Sequence, residues 1–280
     1  MSDLRDQERL GDGWSTRLIH LYNRRIQYSG LTGDTSDDER LNLVENRMAD
    51  VVFAASAMEC CFLRITSLTG ALSAAPVGRR TGEGIFLARA DEPYWDQLSK
   101  LIPRVPDAYY DFHAMLWWGR SLLDRVECRW RERINGERMN VPMGLVHFLI
   151  DSDAKRMRVA RERLRRGAFA EVKDLADYSL HLFAIPSPQT MLHLEDDGTY
   201  TLPLPDHLGR RPRIGEHFTF GEKRNIGTEA EALWSGVQAF MIDAFNILEE
   251  DQLQREEAAP ADRLGAIRAW RSHLMPPQPE

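Results

Sequence analysis

Apolar residues recur every three or four positions in a long stretch from Leu41 to Ile65. This spacing places one apolar stripe on one face and predicts a long amphipathic helix. Ser36 and Glu39 have the spacing of a capping box at its start, and Gly70 is predicted to end it. The stripe consists of Leu41, Val44, Met48, Val51, Ala55, Met58, Phe62 and Ile65.

A second long helix is predicted from Asp107 to Asn135, because Pro106 suits a helix start and Gly136 a helix end. A shorter helical piece, EPYWDQLSKLI, precedes it. The two long helices are expected to pack antiparallel as the spine of a bundle. The second stripe consists of Tyr109, Phe112, Leu116, Leu123, Val126, Trp130 and Ile134.

The last long helix is predicted to begin at Thr228, with Glu231 completing a second capping box. Before it, TMLHLEDDGTYTLPLP has two short runs around Asp-Asp-Gly, which predicts a β-hairpin, and EHFTF (216–220) is a candidate third strand. Other helices are predicted in WSTRLIHLYNRRI, from Ser152 to Arg166 and from Phe169 to Phe183. The apolar stripe of the last long helix consists of Ala230, Leu233, Val237, Phe240, Ala244 and Ile247.

These elements predict a mostly α fold: an antiparallel helical bundle with a small β-hairpin inserted before the last long helix. The 280 residues, 43% of them hydrophobic, are sufficient for a sizeable core. We expect an N-terminal helix and linker over 1–35 and a bundle domain over 36–256, with its hairpin near 190–220. A short helix and a flexible tail are expected over 257–280.

The composition predicts a cytoplasmic protein without a membrane partner. No uninterrupted apolar run reaches the roughly 18 residues that a spanning helix needs. The polar, acidic N-terminus has no apolar signal core. The three cysteines, Cys60, Cys61 and Cys128, include an adjacent pair and do not form a disulfide framework, so free thiols are expected.

Charge is distributed unevenly along the chain. The net charge is −7, but the segment from Arg120 to Arg166 holds 13 Lys and Arg against 7 Asp and Glu, a local +6. Within it, KRMRVARERLRR is either an electrostatic footprint for RNA phosphate or a solvated helix face. The candidate RNA-binding residues are Lys155, Arg156, Arg158, Arg161, Arg165 and Arg166.

No metal or cofactor site is predicted. None of the eight histidines has an acidic residue three positions before it, and the cysteines lack zinc-ligand spacing. The chain has no Gly-x-Ser-x-Gly motif and no Walker-type glycine loop.

The stretch DLADYSLHLFAIPSP contains the candidate acid–base residues. His181 ends a predicted helix, where the helix dipole stabilises an imidazolium. Asp177 lies one turn back and can orient the ring, with Tyr178 beside it. The alternative is a histidine that caps or packs a core helix.

The order of elements, together with KDLADYSLH, resembles the HEPN superfamily of helical proteins. The resemblance implies a homodimer with paired motifs and a metal-independent ribonuclease, in bacterial defence or toxin–antitoxin systems. It also implies that His181 takes the proton from a ribose 2′-hydroxyl. The arginine of the motif is not matched, because Asp174, Leu175 and Ala176 stand where it belongs. Arg120, from another helix, is the candidate for the missing cation.

Two other functions are compatible with the sequence. The chain can be a non-enzymatic dimerisation or adaptor module for a protein partner, in which the polar motif is structural. It can also be a small-molecule enzyme with a pocket between the long helices, lined by Tyr109, His113, Trp117 and Trp118. Salt-dependent retention of RNA separates RNA binding from the adaptor reading.

Overall fold

A computed structural model of the chain describes residues 16–24, 38–75, 93–127, 129–134, 137–142, 192–195, 199–206, 219–220 and 224–258, with the single residues 145, 162, 173 and 265. This part is mostly helical. It contains α1 (16–24), α2 (Asp38–Ser73), α3 (Pro93–Leu101), a 3-10 turn (Ile102–Arg104), α4 (Val105–Glu127) and α5 (Ile226–Glu257). Its strands are β1 (Arg129–Ile134), β2 (Glu137–Pro142), β3 (His193–Leu194) and β4 (Tyr200–Thr201). The predicted fold class, mostly α with a hairpin before the last long helix, is confirmed.

The chain divides into two compact units. One comprises Met1–Ala55, Ser121–Phe169 and Gln238–Glu280, and the other comprises Ser56–Arg120 and Ala170–Val237. Helices α2, α4 and α5 each contribute residues to both units, which are called the terminal unit and the central unit below.

In the central unit, α2 runs antiparallel to α4, as the sequence predicts. Met58 Cε lies 3.6 Å from the position that a Cβ atom would take at Gly119. Arg64, further along α2, pairs with Asp111, earlier on α4. Leu233 of α5 reaches the same glycine at 3.8 Å, so the three helices meet where α4 has no side chain.

Helix α2 also runs antiparallel to α5. Phe62 stacks on Trp234 with a ring-centroid distance of 5.6 Å. Thr69, two turns later on α2, lies 3.5 Å from the position of a Cβ atom at Gly227, near the start of α5. These contacts, with those to α4, define the antiparallel bundle of this unit.

The predicted stripe of α2 is confirmed where side chains are described: Met48, Val51, Ala55, Met58 and Ile65 are buried, and Phe62 is half-buried. The predicted end at Gly70 is wrong, because the helix continues to Ser73. Leu72, the last residue but one of the helix, is fully buried. Burying a leucine contributes about 1.5–3 kcal/mol, more than the cost of about 1 kcal/mol for glycine in a helix.

The predicted extent of the second long helix is also wrong. Helix α4 begins at Val105 and ends at Glu127, and the next residues form the antiparallel pair β1–β2. Arg129 lies opposite Pro142 and Ile134 opposite Glu137, which leaves Asn-Gly at 135–136 between the strands. Asn-Gly between alternating residues is the strongest short-range hairpin signal, and it overrides the apolar spacing of Trp130 and Ile134.

The hairpin predicted before the last helix is confirmed as β3–β4, with Leu194 opposite Tyr200. Its continuation joins the start of α5 through a backbone hydrogen bond in which Ile226 N donates to Leu202 O at 2.9 Å. The candidate third strand is not formed at residues 219–220, although Thr219 O accepts from Asp206 N. Residues 216–218 lie outside the described residues.

Helix α5 begins two residues before the predicted start. Its cap is Asn225, whose Oδ1 accepts from Thr228 N at 3.0 Å. Glu231, the predicted partner in the capping box, is exposed. The predicted stripe is confirmed, since Ala230, Leu233, Val237, Phe240, Ala244 and Ile247 are all buried.

In the terminal unit, α1 packs against the C-terminal part of α5 through two ion pairs. Arg24 Nη2 donates to both carboxylate oxygens of Glu256, at 2.8 and 2.9 Å. Arg17 pairs with Glu249 at 2.9 Å and covers the ring of Phe245 at 4.7 Å. Both pairs span 232 residues, so the two helices run parallel.

The part of α2 from Asn46 to Ser73 is, by length and hydropathy, long and apolar enough to cross a membrane. It contains no uninterrupted apolar run of spanning length, because charged residues such as Glu59 and Arg64 interrupt the segment. Core helices of soluble proteins have the same property. Here the apolar stripe of α2 is buried within the protein.

Candidate functional site

Most of the site residues predicted from the sequence lie outside the described residues. This applies to Asp177, Tyr178 and His181, and to Lys155, Arg156, Arg158, Arg161, Arg165 and Arg166. Arg120 is described: it lies half-buried on α4. Glu162 and Lys173, within two of the predicted helices, are helical.

The pocket predicted for a small-molecule enzyme is not formed by the residues proposed for it. Tyr109 is fully buried in the core, where its hydroxyl donates to Pro203 O at 2.8 Å and burial raises the pKa of the phenol above its ordinary value. His113 is exposed, and Trp117, one turn later on the same side of α4, is 60% exposed. Trp118 is half-buried. Burial therefore separates these four residues, because Tyr109 belongs to the core whereas His113 and Trp117 are exposed.

The β1–β2 hairpin carries the strongest concentration of one charge type that the described strands contain. Arg129, Arg131 and Arg133 occupy alternate positions of β1 and so share one face of the ladder. Arg138 lies directly opposite Arg133, and Asn140 opposite Arg131, so both belong to that face. We call this the arginine face; it is defined by Arg129, Arg131, Arg133 and Arg138.

The two acidic residues of the hairpin belong to its other face. Glu132 and Glu137 alternate with the arginines, and they share their face with Trp130, Ile134 and apolar residues of β2. The arginine face thus has four positive charges and no acidic residue of its own strands.

A cleft of about 240 Å³ lies in the central unit between α2 and the start of α4. It combines charged side chains with an apolar floor of buried residues. Its lining consists of Arg64, Leu68, Arg104, Asp107, Ala108, Tyr110 and Asp111.

Arg64 is fixed in this cleft by two hydrogen bonds to one carboxylate. Its Nε donates to Asp111 Oδ2 at 2.8 Å, and its Nη2 donates to Asp111 Oδ1. The hydrogen bonds to Asp111 raise the pKa of the guanidinium, which stays charged. Cys61 Sγ accepts from the same Nη2 at 3.4 Å. Burial and then the charge of Asp111 raise the pKa of the Cys61 thiol, so Cys61 is not an activated nucleophile.

Three polar side chains at the cleft are exposed: Arg104, Asp107 and Tyr110. Within the part of the chain that the structure describes, none of them makes a hydrogen bond or an ion pair. They are therefore available to a ligand. Sequence reasoning missed this cleft, because no motif connects Arg64 with a carboxylate 47 residues later.

Comparison with known proteins gives no relative: no family model, no curated protein and no solved structure matches the chain. Among the described residues, no group of three or more His, Cys, Asp or Glu side chains is arranged to hold a metal ion. The arginine face and the polar cleft are therefore the candidate sites among the described residues.

Proposed function

We propose that this chain is a helical, cytoplasmic RNA-binding protein that contacts the RNA backbone through the arginine face of the β1–β2 hairpin. The observation that carries the proposal is the placement of four arginines on one face of a two-stranded ribbon. These arginines belong to the basic segment from Arg120 to Arg166, while the rest of the chain is acidic. The positive potential is thus concentrated in one part of the sequence.

Arginine is suited to this contact because its planar guanidinium donates two parallel hydrogen bonds to a phosphate. Alternate residues of a strand repeat about every 6.8 Å, so a ribbon offers a row of cations rather than a single one. Each neutralised phosphate releases condensed counterions, which makes the affinity steeply salt-dependent. The candidate basic residues of 155–166 would extend the same contact along the RNA.

The HEPN-like ribonuclease activity remains part of the proposal, supported by the sequence motif alone. In it, His181 takes the proton from a ribose 2′-hydroxyl, Asp177 orients the imidazole, and Tyr178 lies beside it. Arg120 supplies the cation, and the expected homodimer pairs two such motifs, in a bacterial defence or toxin–antitoxin setting. Cleavage of labelled mixed-sequence RNA in EDTA, lost in His181→Ala with intact circular dichroism, would support it. Absence of cleavage by the wild type would contradict the ribonuclease activity. It would leave the proposal of RNA binding unaffected.

Binding is tested by fluorescence anisotropy with a labelled single-stranded RNA at low salt. We expect the variant Arg129→Gln/Arg131→Gln/Arg133→Gln/Arg138→Gln to lose at least tenfold in affinity with its helical content unchanged. The matched control is Glu132→Gln/Glu137→Gln on the other face of the same hairpin, which is expected to bind at least as tightly as the wild type. Equal affinity of all three proteins would contradict the proposal.

A non-enzymatic adaptor or dimerisation module is the second candidate. The observation that favours it is a pair of aromatic residues exposed on α4: Tyr110, 62% exposed, and Trp117. If no RNA binds even at low salt, the adaptor becomes the better interpretation. Sedimentation equilibrium of the wild type and Trp117→Ala then tests whether this helix face joins two copies of the chain.

A further inference from the structure

We propose that the cleft between α2 and the start of α4 binds a small zwitterion, namely a free α-amino acid or a molecule with the same adjacent carboxylate and ammonium groups. The proposal is independent of RNA binding, because its residues belong to the central unit and none of them is on the arginine face. It rests on the charges, the free hydrogen-bonding groups and the size of the cleft.

The carboxylate of the ligand would bind to two guanidinium groups. Asp111 holds Arg64 through Nε and Nη2, which leaves the Nη1 amino group without a partner among the described residues. Arg104 contributes a second, unpaired guanidinium to the same cleft. Since Asp111 already fixes Arg64, less side-chain entropy is lost when an anion binds.

The ammonium group would bind to Asp107. Asp111 is only 15% exposed and already accepts two hydrogen bonds from Arg64, whereas Asp107 is exposed and unpaired. Arg64, Arg104, Asp107 and Asp111 together have a formal charge of zero. A simple anion would be repelled by the unpaired carboxylate of Asp107. A simple cation would be repelled by the unpaired guanidinium of Arg104. A zwitterion satisfies both groups.

The size and the apolar lining narrow the class of ligand. Leu68 and Ala108 are buried and form an apolar floor, and the ring of Tyr110 is exposed at the rim. The volume of about 240 Å³ lies below the range of roughly 300–1,000 Å³ that is usual for drug-sized ligands. This favours a single amino acid, whose side chain lies on the apolar floor, over a nucleotide or a folded peptide.

The test measures the thermal stability of the full chain with each of the 20 standard L-amino acids at 10 mM, followed by calorimetric titration of those that raise the melting temperature. A ligand that binds only the folded state raises this temperature in proportion to ln(1 + [L]/Kd). We expect a subset of apolar amino acids to bind. Their N-acetyl and carboxamide derivatives, which lack one charge each, are expected to bind at least tenfold more weakly.

Two variants separate the two halves of the site, and both affect exposed, unpaired residues. Arg104→Gln is expected to weaken binding of the free amino acid at least tenfold. Asp107→Asn is expected to remove the preference for the free amino acid over its N-acetyl derivative. Lys100→Gln, an exposed cation of α3 outside the cleft, is the control and should bind as the wild type does.

Three results would overturn the proposal. The first is no binding by any amino acid at 10 mM. The second is binding of acetate or phosphate as tight as that of the amino acid, which would define a simple anion site. The third is wild-type discrimination by Asp107→Asn, which would show that the ammonium group is recognised elsewhere.

Discussion

At the scale of single residues, the ion pair between Arg24 and Glu256 is the most deeply buried charge pair among the described side chains, at 8% and 1% exposure. Arg24 donates three hydrogen bonds to the Glu256 carboxylate, and Gln252 Nε2 adds a fourth at 3.0 Å. An ion pair of this kind is tolerated because every charge has partners, and removal of one partner leaves an uncompensated charge in a low dielectric. The sequence pattern does not reveal this pair, because its members are 232 residues apart.

We therefore predict that Glu256→Gln lowers the free energy of unfolding by about 3–5 kcal/mol. The matched control is Glu249→Gln, which breaks the more exposed pair with Arg17. This variant should change the free energy of unfolding by about 0–1 kcal/mol. Urea denaturation monitored by circular dichroism measures both. A loss below 1 kcal/mol for Glu256→Gln would show that water reaches Arg24 when its partner is removed.

Tyr109 gives a second prediction at this scale, with a defined pH dependence. Burial raises the pKa of Tyr109 in the folded protein above its ordinary value of about 10, so the folded state keeps a proton that the unfolded state releases. Stability from this group is present below pH 10 and decreases as pH rises above it. Tyr109→Phe removes both this dependence and the hydrogen bond to Pro203 O.

The expected result is that Tyr109→Phe is less stable than the wild type by about 0.5–1.5 kcal/mol at pH 8, the usual contribution of such a hydrogen bond. This difference should shrink as the pH is raised to 11. Urea unfolding at several pH values is the measurement. Because Tyr200 is present in both proteins, its own raised pKa cancels from the comparison. A difference independent of pH would contradict a buried phenol at position 109.

At the scale of elements, the sequence predicted the helices with long apolar stripes and misplaced several of their ends. The stripes of α2 and α5 are confirmed because burial of one face decides whether such a helix forms. The ends depend on local competition. Asn-Gly at 135–136 redirected the chain into β1–β2, and Asn225 displaced Thr228 as the cap of α5.

The cap assignment leads to a direct test. Asn225→Ala removes the oxygen that accepts from Thr228 N, and it should destabilise the protein by about 0.5–2 kcal/mol. Glu231→Ala removes the partner that the sequence-based capping box requires, and it should have an effect within about 0.5 kcal/mol because the side chain is exposed. Thermal unfolding of both variants measures which of them is less stable. The reverse order would support the cap at Thr228.

At the scale of the whole molecule, charge counting located the basic segment but not the arrangement of its arginines. The excess of cations between Arg120 and Arg166 is visible in the sequence, whereas the arginine face depends on the ladder register of β1 and β2. The polar cleft could not be predicted from the sequence for a different reason. Arg64 contacts Asp111 only because α2 packs against α4. In both places the proposed function depends on residues that the fold brings together.

The dependence of RNA affinity on salt concentration is the sharpest test of RNA binding by the arginine face. For single-stranded nucleic acid, the logarithm of the association constant falls by about 0.7 per neutralised phosphate for each unit in log salt. Replacing the four arginines of the arginine face with glutamine should therefore flatten the slope by up to about 3 units. Glu132→Gln/Glu137→Gln should leave the slope unchanged.

A parallel variant with Arg156, Arg158, Arg161 and Arg165 changed to glutamine removes the same number of charges from the predicted basic helix. It tests how far the contact extends along the chain. We predict that the arginine-face variant has a flatter salt dependence of RNA affinity while its helical content is retained. A slope identical to that of the wild type would show that the β1–β2 hairpin does not contact RNA and would contradict the proposed function.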